Sequence, residues 1–224
     1  MILIISSLQD PHAVAVMQRL DARGVPYFLC DTERFPRDLG LSVEYGDDAP
    51  GLSLTETSGR IVDLRDVKVA WWRRPQPLRI HEDIKEPSAV QFTINECLMA
   101  ISGLWQSLDA LWVNHPGYDE AASKKVYQLK VAREVGLKVP RTCISNDPAS
   151  VRRFITSMNG TPVIYKTFLA MEQAWRETRL LSDEALRNLD SVRYAPVIFQ
   201  EFVPAVADLR ITAFWREYLL YRGR

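Results

Sequence analysis

Ile2-Leu-Ile-Ile5 is a continuous apolar run bounded by serines, and it leads directly to Asp10-Pro11, an N-cap followed by proline in the first helical turn. Ala13, Val14, Val16, Met17 and Leu20 then form one helical stripe, Gly24 stands where a helix ends, and Val25 to Cys30 reads as a second strand closing at Asp31. Strand, helix and strand in such quick succession make a βαβ unit, which crosses over right-handed with its two strands parallel in one sheet. The fold class is therefore α/β. An acid ending the second strand is where dinucleotide-binding folds hold a ribose. No G-x-G-x-x-G follows the first strand, however, so Asp31 is expected to cap a loop.

The chain continues with short β segments, Leu41–Tyr45, Leu52–Thr55 and Arg60–Asp63, separated by Gly, Asp and Pro, as in a β-hairpin insert. Val67 to Trp72 is another apolar strand, followed by Arg73-Arg74-Pro75. Ligands of open α/β sheets collect outside the carboxyl ends of the strands, so these arginines are placed to face a carboxylate, a phosphate or a peptide. Pro87 to Leu108 is a helix with Phe92, Ile94, Leu98, Met99, Ile101, Leu104, Trp105 and Leu108 at helical spacing, expected as a packing helix with its aromatics in the core. Leu111 to Pro116 is a short strand whose His115 has no ligand-spaced Cys, His or acid and is expected as a hydrogen-bonded structural residue. Tyr118 to Val135 is expected as one helix, with Lys124, Lys125, Gln128, Lys130 and Arg133 on its polar side and Val126, Leu129, Val131 and Ala132 inward. Gly136 stops it. Val139 to Ser145 is a strand, Asn146-Asp147-Pro148 caps a helix running to Met158, and Asn159-Gly160 is a turn.

Two further strands carry polar residues that packing alone does not require. Thr161-Pro-Val-Ile-Tyr-Lys-Thr167 contains Lys166, and Pro196-Val-Ile-Phe-Gln-Glu-Phe-Val-Pro204 contains Gln200 and Glu201. A lysine closing one strand and an acid closing the next suit a site that holds a polyanion at one end and a flat polar ring at the other. Composition narrows the alternatives. Lys plus Arg (28) equals Asp plus Glu (28), so no global field recruits nucleic acid or an anionic membrane and any anion must be held locally. The 47% hydrophobic content supplies real cores. Cys30, Cys97 and Cys143 are widely spaced, with no C-x-x-C, as expected of packed thiols in a reduced, cytosolic protein. Ile2–Ile5 is too short for a signal segment, and no apolar run reaches membrane-spanning length.

The order of these pieces resembles the ATP-grasp superfamily: the strand ending Arg73-Arg74-Pro75, a helix, Val113-Asn-His-Pro116, Lys125 with Gln128-Leu129, Gly136-Leu-Lys-Val-Pro140 with Thr142, Val163-Ile-Tyr-Lys-Thr167, Phe199 to Pro204, and Asp208-Leu-Arg-Ile-Thr212. Within it, the sequence is most similar to microviridin-type (graspetide) peptide ligases, with RimK-like and glutathione-synthetase-like ligases more distant. The resemblance implies a Rossmann-like pre-ATP-grasp domain over 1–115 with the hairpin insert, an ATP-grasp central lobe over 116–195, and the start of a C-terminal lobe over 196–224. It implies ATP as cofactor, its phosphates held by Lys125 and Lys166. Adenine would lie at Gln200 to Val203, with backbone groups of Phe202 and Val203 reading the base and Glu201 beside its amino group. Asp208 would lie near the ribose, Arg210 near the γ-phosphate or acyl-phosphate, and Arg73 and Arg74 near the substrate.

Such ligases phosphorylate a carboxylate and let an amine or alcohol displace the phosphate, so the site must neutralise a polyphosphate and needs no enzymic nucleophile. Lysines on two elements supply point charges, and an arginine supplies a planar fork. The implied substrate is a side chain of a ribosomal precursor peptide, or another carboxylate, and a homodimer is compatible. The family's phosphate-covering loop normally bears glycine, whereas Phe168 to Trp175 has none. Its Mg²⁺ ligands lie downstream of the Asp-Leu-Arg motif. Between Arg210 and Arg224 there is no acid-x-Asn pattern and Glu217 is the sole carboxylate, so the Mg²⁺ ligands are expected outside this chain. The alternative is a non-catalytic peptide- or nucleotide-binding module derived from such a ligase.

Overall fold

The computed structural model describes residues 1–46, 51–168, 178–214 and 217–222, and for Phe214 and residues 217–222 the backbone alone. It divides into two compact units, Met1–Ser123 and Lys124–Arg224. The break falls later than the expected domain boundary after residue 115, so helix 116–123 stays with the first unit.

In the first unit, β1 (Ile2–Ile5), α1 (Pro11–Asp21) and β2 (Tyr27–Cys30) form the expected βαβ crossover. Asp10 caps α1, accepting from the N–H groups of His12 at 2.8 Å and Ala13 at 3.3 Å, and Gly24 ends the segment at φ +62°. An antiparallel sheet of β3 (Leu39–Glu44), β4 (Gly51–Glu56) and β5 (Ile61–Asp63) follows, in chain order. Then come β6 (Val69–Trp72), α2 (Pro87–Gln106), β7 (Leu111–Val113) and α3 (Pro116–Ser123). The main sheet is parallel in the order β2-β1-β6-β7. Leu3, Ile5 and Ala70 share a core with Ile101, Leu104 and Trp105 of α2 and with Leu39, Leu54 and Val62 of the inserted sheet. By strand alternation Ile4 points to the other face, where α1 buries Ala13 and Met17.

α2 corrects one expectation. Ile101, Leu104 and Trp105 are buried, but Phe92 and Met99 are 66% and 71% exposed, and Leu98 is also exposed. Nine residues separate Phe92 from Ile101, which is half a circumference at 100° per residue, so one helix face cannot bury both. The apolar set wraps around the helix instead of forming a seam.

The second unit begins with α4 (Lys125–Glu134). The single helix expected from Tyr118 to Val135 is two helices, because Lys124 adopts extended backbone (φ −74°, ψ 111°) between α3 and α4. Val126, expected inward, is exposed. Gly136 closes α4 at φ +81°. Then follow β8 (Thr142–Ser145), α5 (Pro148–Ser157), β9 (Val163–Lys166), β10 (Arg179–Leu180), α6 (Asp183–Arg187), β11 (Val197–Glu201), β12 (Leu209–Phe214) and β13 (Glu217–Arg222). Asp147 caps α5, and Asn159 and Gly160 both take positive φ, as a tight turn into β9 demands. The sheet is antiparallel in the order β10-β9-β11-β8, with Val197–Glu201, grouped above with the C-terminal lobe, inside it. One face packs Tyr165, Phe199, Val163 and Cys143 against Val151, Phe154 and Met158 of the α5 segment and Leu189 and Val192 of a 3₁₀ turn. β12 and β13 pair with each other as a two-stranded ribbon. The glycine-free stretch after Phe168, through Trp175, lies outside the described residues.

Candidate functional site

The chemistry of the second unit concentrates on the sheet face opposite its core. Ile198 pairs with Lys166 across β11 and β9, and Gln200 pairs with Thr142 across β11 and β8. Residues two apart share a face, so Lys166, Gln200 and Thr142 project together while Tyr165 and Phe199 point into the core. Their hydrogen bonds form a directed chain. Thr142 Oγ1 donates to the Pro140 carbonyl at 2.8 Å, which leaves the hydroxyl oxygen to accept from Gln200 Nε2 at 2.8 Å. With its amide nitrogen committed to Thr142, Gln200 presents Oε1 to Lys166 Nζ at 3.0 Å. Each link fixes the polarity of the next, so the ammonium is held by a neutral acceptor.

Lys125 opens α4 and donates to Gln128 Oε1 at 3.5 Å. Partial burial pushes the Lys166 ammonium below the ordinary lysine value, and the charge of Lys125 pushes it further. Among the described residues no carboxylate pairs with either lysine. Two cations held close without an intervening acid have an unmet electrostatic demand, which a polyanion answers. On the core side of the sheet a cavity of about 640 Å³ is lined by Tyr165 and Phe199 together with Arg179, Glu184, Lys166 and Thr167, among other residues.

The remaining residues are placed as follows. Gln200, expected against adenine, is in direct contact with Lys166. Glu201 points the other way along β11. Its Oε2 accepts from the Arg141 N–H at 3.2 Å, clamping the approach to β8. The Phe202 N–H donates to the Pro162 carbonyl at 2.8 Å and is not open to a base, whereas the Val203 N–H has no protein acceptor among the described residues. Asp208 and Arg210 are exposed at the start of the β12–β13 ribbon, and neither is joined by hydrogen bond or ion pair to Lys125, Lys166 or Gln200 among the described residues. The sequence alone does not mark Thr142 as a site residue. Its role depends on cross-strand register, which no local pattern reveals.

In the first unit, Arg73 follows β6 and its N–H donates to the Ile5 carbonyl at 2.9 Å. Its Nε donates to Oδ2 of the buried Asp10 at 2.9 Å. Burial alone would raise the Asp10 carboxyl, but hydrogen bonds from His12, Arg73 and Ala13 and the Arg73 charge together hold it below the usual aspartate range. Arg74 is exposed and sits at φ +49°, unusual for a residue with a Cβ. His115 Nδ1 accepts from the Gly117 N–H at 3.1 Å, and its ring packs against Trp112 and Tyr118, as a structural histidine does.

A parallel sheet with a basic carboxyl edge, followed by an antiparallel sheet with a desolvated lysine, defines a pre-ATP-grasp domain joined to ATP-grasp α/β elements. The family described as the MvdD pre-ATP grasp domain matches residues 1–119, and the chain belongs to it. The macrocyclase MdnC of Microcystis aeruginosa MRC, solved with its precursor peptide MdnA, superposes with TM-score 0.87 at 26% identity, over 99% of this chain and 74% of that one. A RiPP-associated ATP-grasp ligase of Chryseobacterium gregarium, solved with ADP and a leader and core peptide, gives TM-score 0.86 at 24% identity, over 99% of this chain and 68% of that one. The ATP-grasp ligase PsnB, solved with a minimal precursor, Mg and ADP, gives TM-score 0.67 at 27% identity, over 94% and 68% respectively. A comparison with curated proteins gave no match.

Proposed function

We propose that this protein is an ATP-dependent ligase that joins a carboxyl side chain of a ribosomal precursor peptide to an amine or hydroxyl. The observation that carries this reading is Lys166, a partly buried ammonium held by the neutral Gln200 amide and further disfavoured by the Lys125 charge, with no carboxylate pairing with either lysine among the described residues, in a chain of the pre-ATP-grasp family. Its similarity to MdnC and PsnB supports the substrate class.

In this reading Lys125 and Lys166 hold the nucleotide phosphates and Gln200 keeps the Lys166 ammonium aimed. The Val203 N–H and the Phe202 carbonyl read the base, with Glu201 bracing the strand behind them, and Asp208 lies near the ribose. Arg210 stabilises charge on the transferring phosphoryl group, and Arg73 and Arg74 bind the peptide. A carboxylate oxygen of the peptide attacks the γ-phosphorus and ADP leaves. The incoming amine or hydroxyl then attacks the acyl-phosphate carbonyl, loses its proton and displaces inorganic phosphate. Mg²⁺ would neutralise phosphate charge, but no cluster of three metal-ligating side chains occurs among the described residues, and none of them is assigned to it.

The test is release of ADP by the protein mixed with candidate precursor peptide, ATP and Mg²⁺. Release that depends on the peptide and is lost in Lys166→Ala supports the ligase. Nucleotide or peptide binding without ADP release turns the reading to a binding module.

A further inference from the structure

The first unit holds a second polar constellation, at the carboxyl edge of its parallel sheet. In the order β2-β1-β6-β7, α1 leads from β1 to β2 on one side, and α2 leads from β6 to β7 on the other. The direction of winding therefore reverses between β1 and β6, and the crevice outside their carboxyl ends is where sheets of this type take ligands. Asp10 follows β1 there and Arg73 and Arg74 follow β6.

We infer that the Arg73 guanidinium, anchored through Nε by Asp10, is a preset fork for a side-chain carboxylate of the peptide substrate, with Arg74 supplying the second positive charge. This rests on the substrate-binding role proposed above for the two arginines. Asp10 takes up Nε and holds the guanidinium plane, and the Nη1 and Nη2 groups make no hydrogen bond or ion pair among the described residues. An arginine held on one edge by a buried acid loses little rotamer freedom when its other edge closes on two oxygens. Arg74 keeps the cluster net positive despite Asp10, and its positive φ places an ordinary residue in a conformation that recurs at ligand sites.

The occupant is a carboxylate rather than a phosphate. The N-terminus of α1, the usual seat of a phosphate, is already filled by the Asp10 carboxylate, which takes the His12 and Ala13 N–H groups. A more highly charged anion would meet that acid with no backbone donors left. A planar carboxylate needs only the two Nη groups. Asp10 is thus a positioning residue, and Arg73 and Arg74 are the binding residues.

The experiment is a ¹⁵N NMR titration of the whole chain with acetyl-Gly-Glu-Gly-amide, acetyl-Gly-Gln-Gly-amide and inorganic phosphate, following arginine Nε–H and the Trp72 indole N–H. The glutamyl peptide is expected to give a saturable shift and the glutaminyl peptide none. Arg73→Lys, which keeps the charge and a partner for Asp10, is expected to weaken binding about tenfold. The exposed Arg74→Gln, which does not threaten folding, is expected to weaken it severalfold, and melting curves confirm that both variants fold. Equal response to both peptides, tighter binding of phosphate, or unchanged affinity in both variants overturns the proposal. ATP binding measured on the same samples separates the two readings. A glutamyl response without ATP binding sinks the nucleotide assignment alone, and ATP binding without a glutamyl response sinks this one alone.

Discussion

Gln200→Leu separates two roles for one side chain. In the structure Oε1 of Gln200 accepts from Lys166 Nζ at 3.0 Å, and its Nε2 donates to Thr142 at 2.8 Å. Leucine keeps the approximate volume and removes both bonds. A hydrogen bond to a charged group contributes about 1.5–3 kcal/mol, and because the site is only partly buried the lower end applies, which corresponds to roughly tenfold in affinity. If Gln200 aims the lysine, calorimetry will show ATP and inorganic triphosphate weakened by the same factor, since both depend on the ammonium. If Gln200 reads adenine instead, ATP will weaken while triphosphate stays unchanged. The second outcome, or no change for either ligand, refutes the directed chain as the device that positions Lys166. Thr142→Val should act in the same direction with smaller size, because it frees the amide without removing the acceptor from Lys166.

The lowered Lys166 proton affinity would make the proposed ATP binding sensitive to alkali: affinity should fall as pH rises through a window below 10.5, earlier than for an unperturbed lysine. In that window the unfolded chain holds the proton more tightly than the folded one, so the free protein gains stability as binding is lost, which calorimetry and urea titrations at matched pH will register. Asp10→Ala removes the α1 cap and strands Arg73, and should cost about 2–3 kcal/mol in urea unfolding. The Asp10 contribution is complete above the usual aspartate value of 3.8 and fades as pH falls below it through the lower folded-state value, a loss absent from the alanine variant. On α2, Trp105→Ala should cost about 3–5 kcal/mol, whereas Met99→Gln should stay within about 0.5 kcal/mol, despite similar hydropathic character in the sequence.

The parts of the fold legible in the sequence are those set by neighbours along the chain. Asp10-Pro11, Asp147-Pro148, Gly24, Gly136 and Asn159-Gly160 fix helix ends and a turn through backbone chemistry that acts over a few residues, and each does so in the structure. Periodicity failed where several faces are apolar. α2 has apolar residues around most of its circumference, so only the packing of Ile101, Leu104 and Trp105 against the β1 and β6 side decides which face is inside. The break at Lys124 has no neighbouring proline or glycine to announce it in the sequence.

The candidate site divides along the same line. Lys166, Gln200, Arg73 and Arg74 stand out because charge or amide groups at the ends of apolar strands are unusual in one dimension, whereas Lys125, on the polar side of a helix, is reached only through the family resemblance. What each one does is a property of register. A one-residue slip of β11 against β9 would turn Gln200 into the core and bring Glu201 to Lys166, replacing a neutral acceptor with a carboxylate. The lysine would then be neutralised by its own sheet and could not play the proposed phosphate-binding role. The observed register puts the amide beside the cation and the acid beside the Arg141 N–H, on the opposite face. The anion preference proposed for this face therefore follows from which of two adjacent residues, Gln200 or Glu201, the pairing turns toward Lys166.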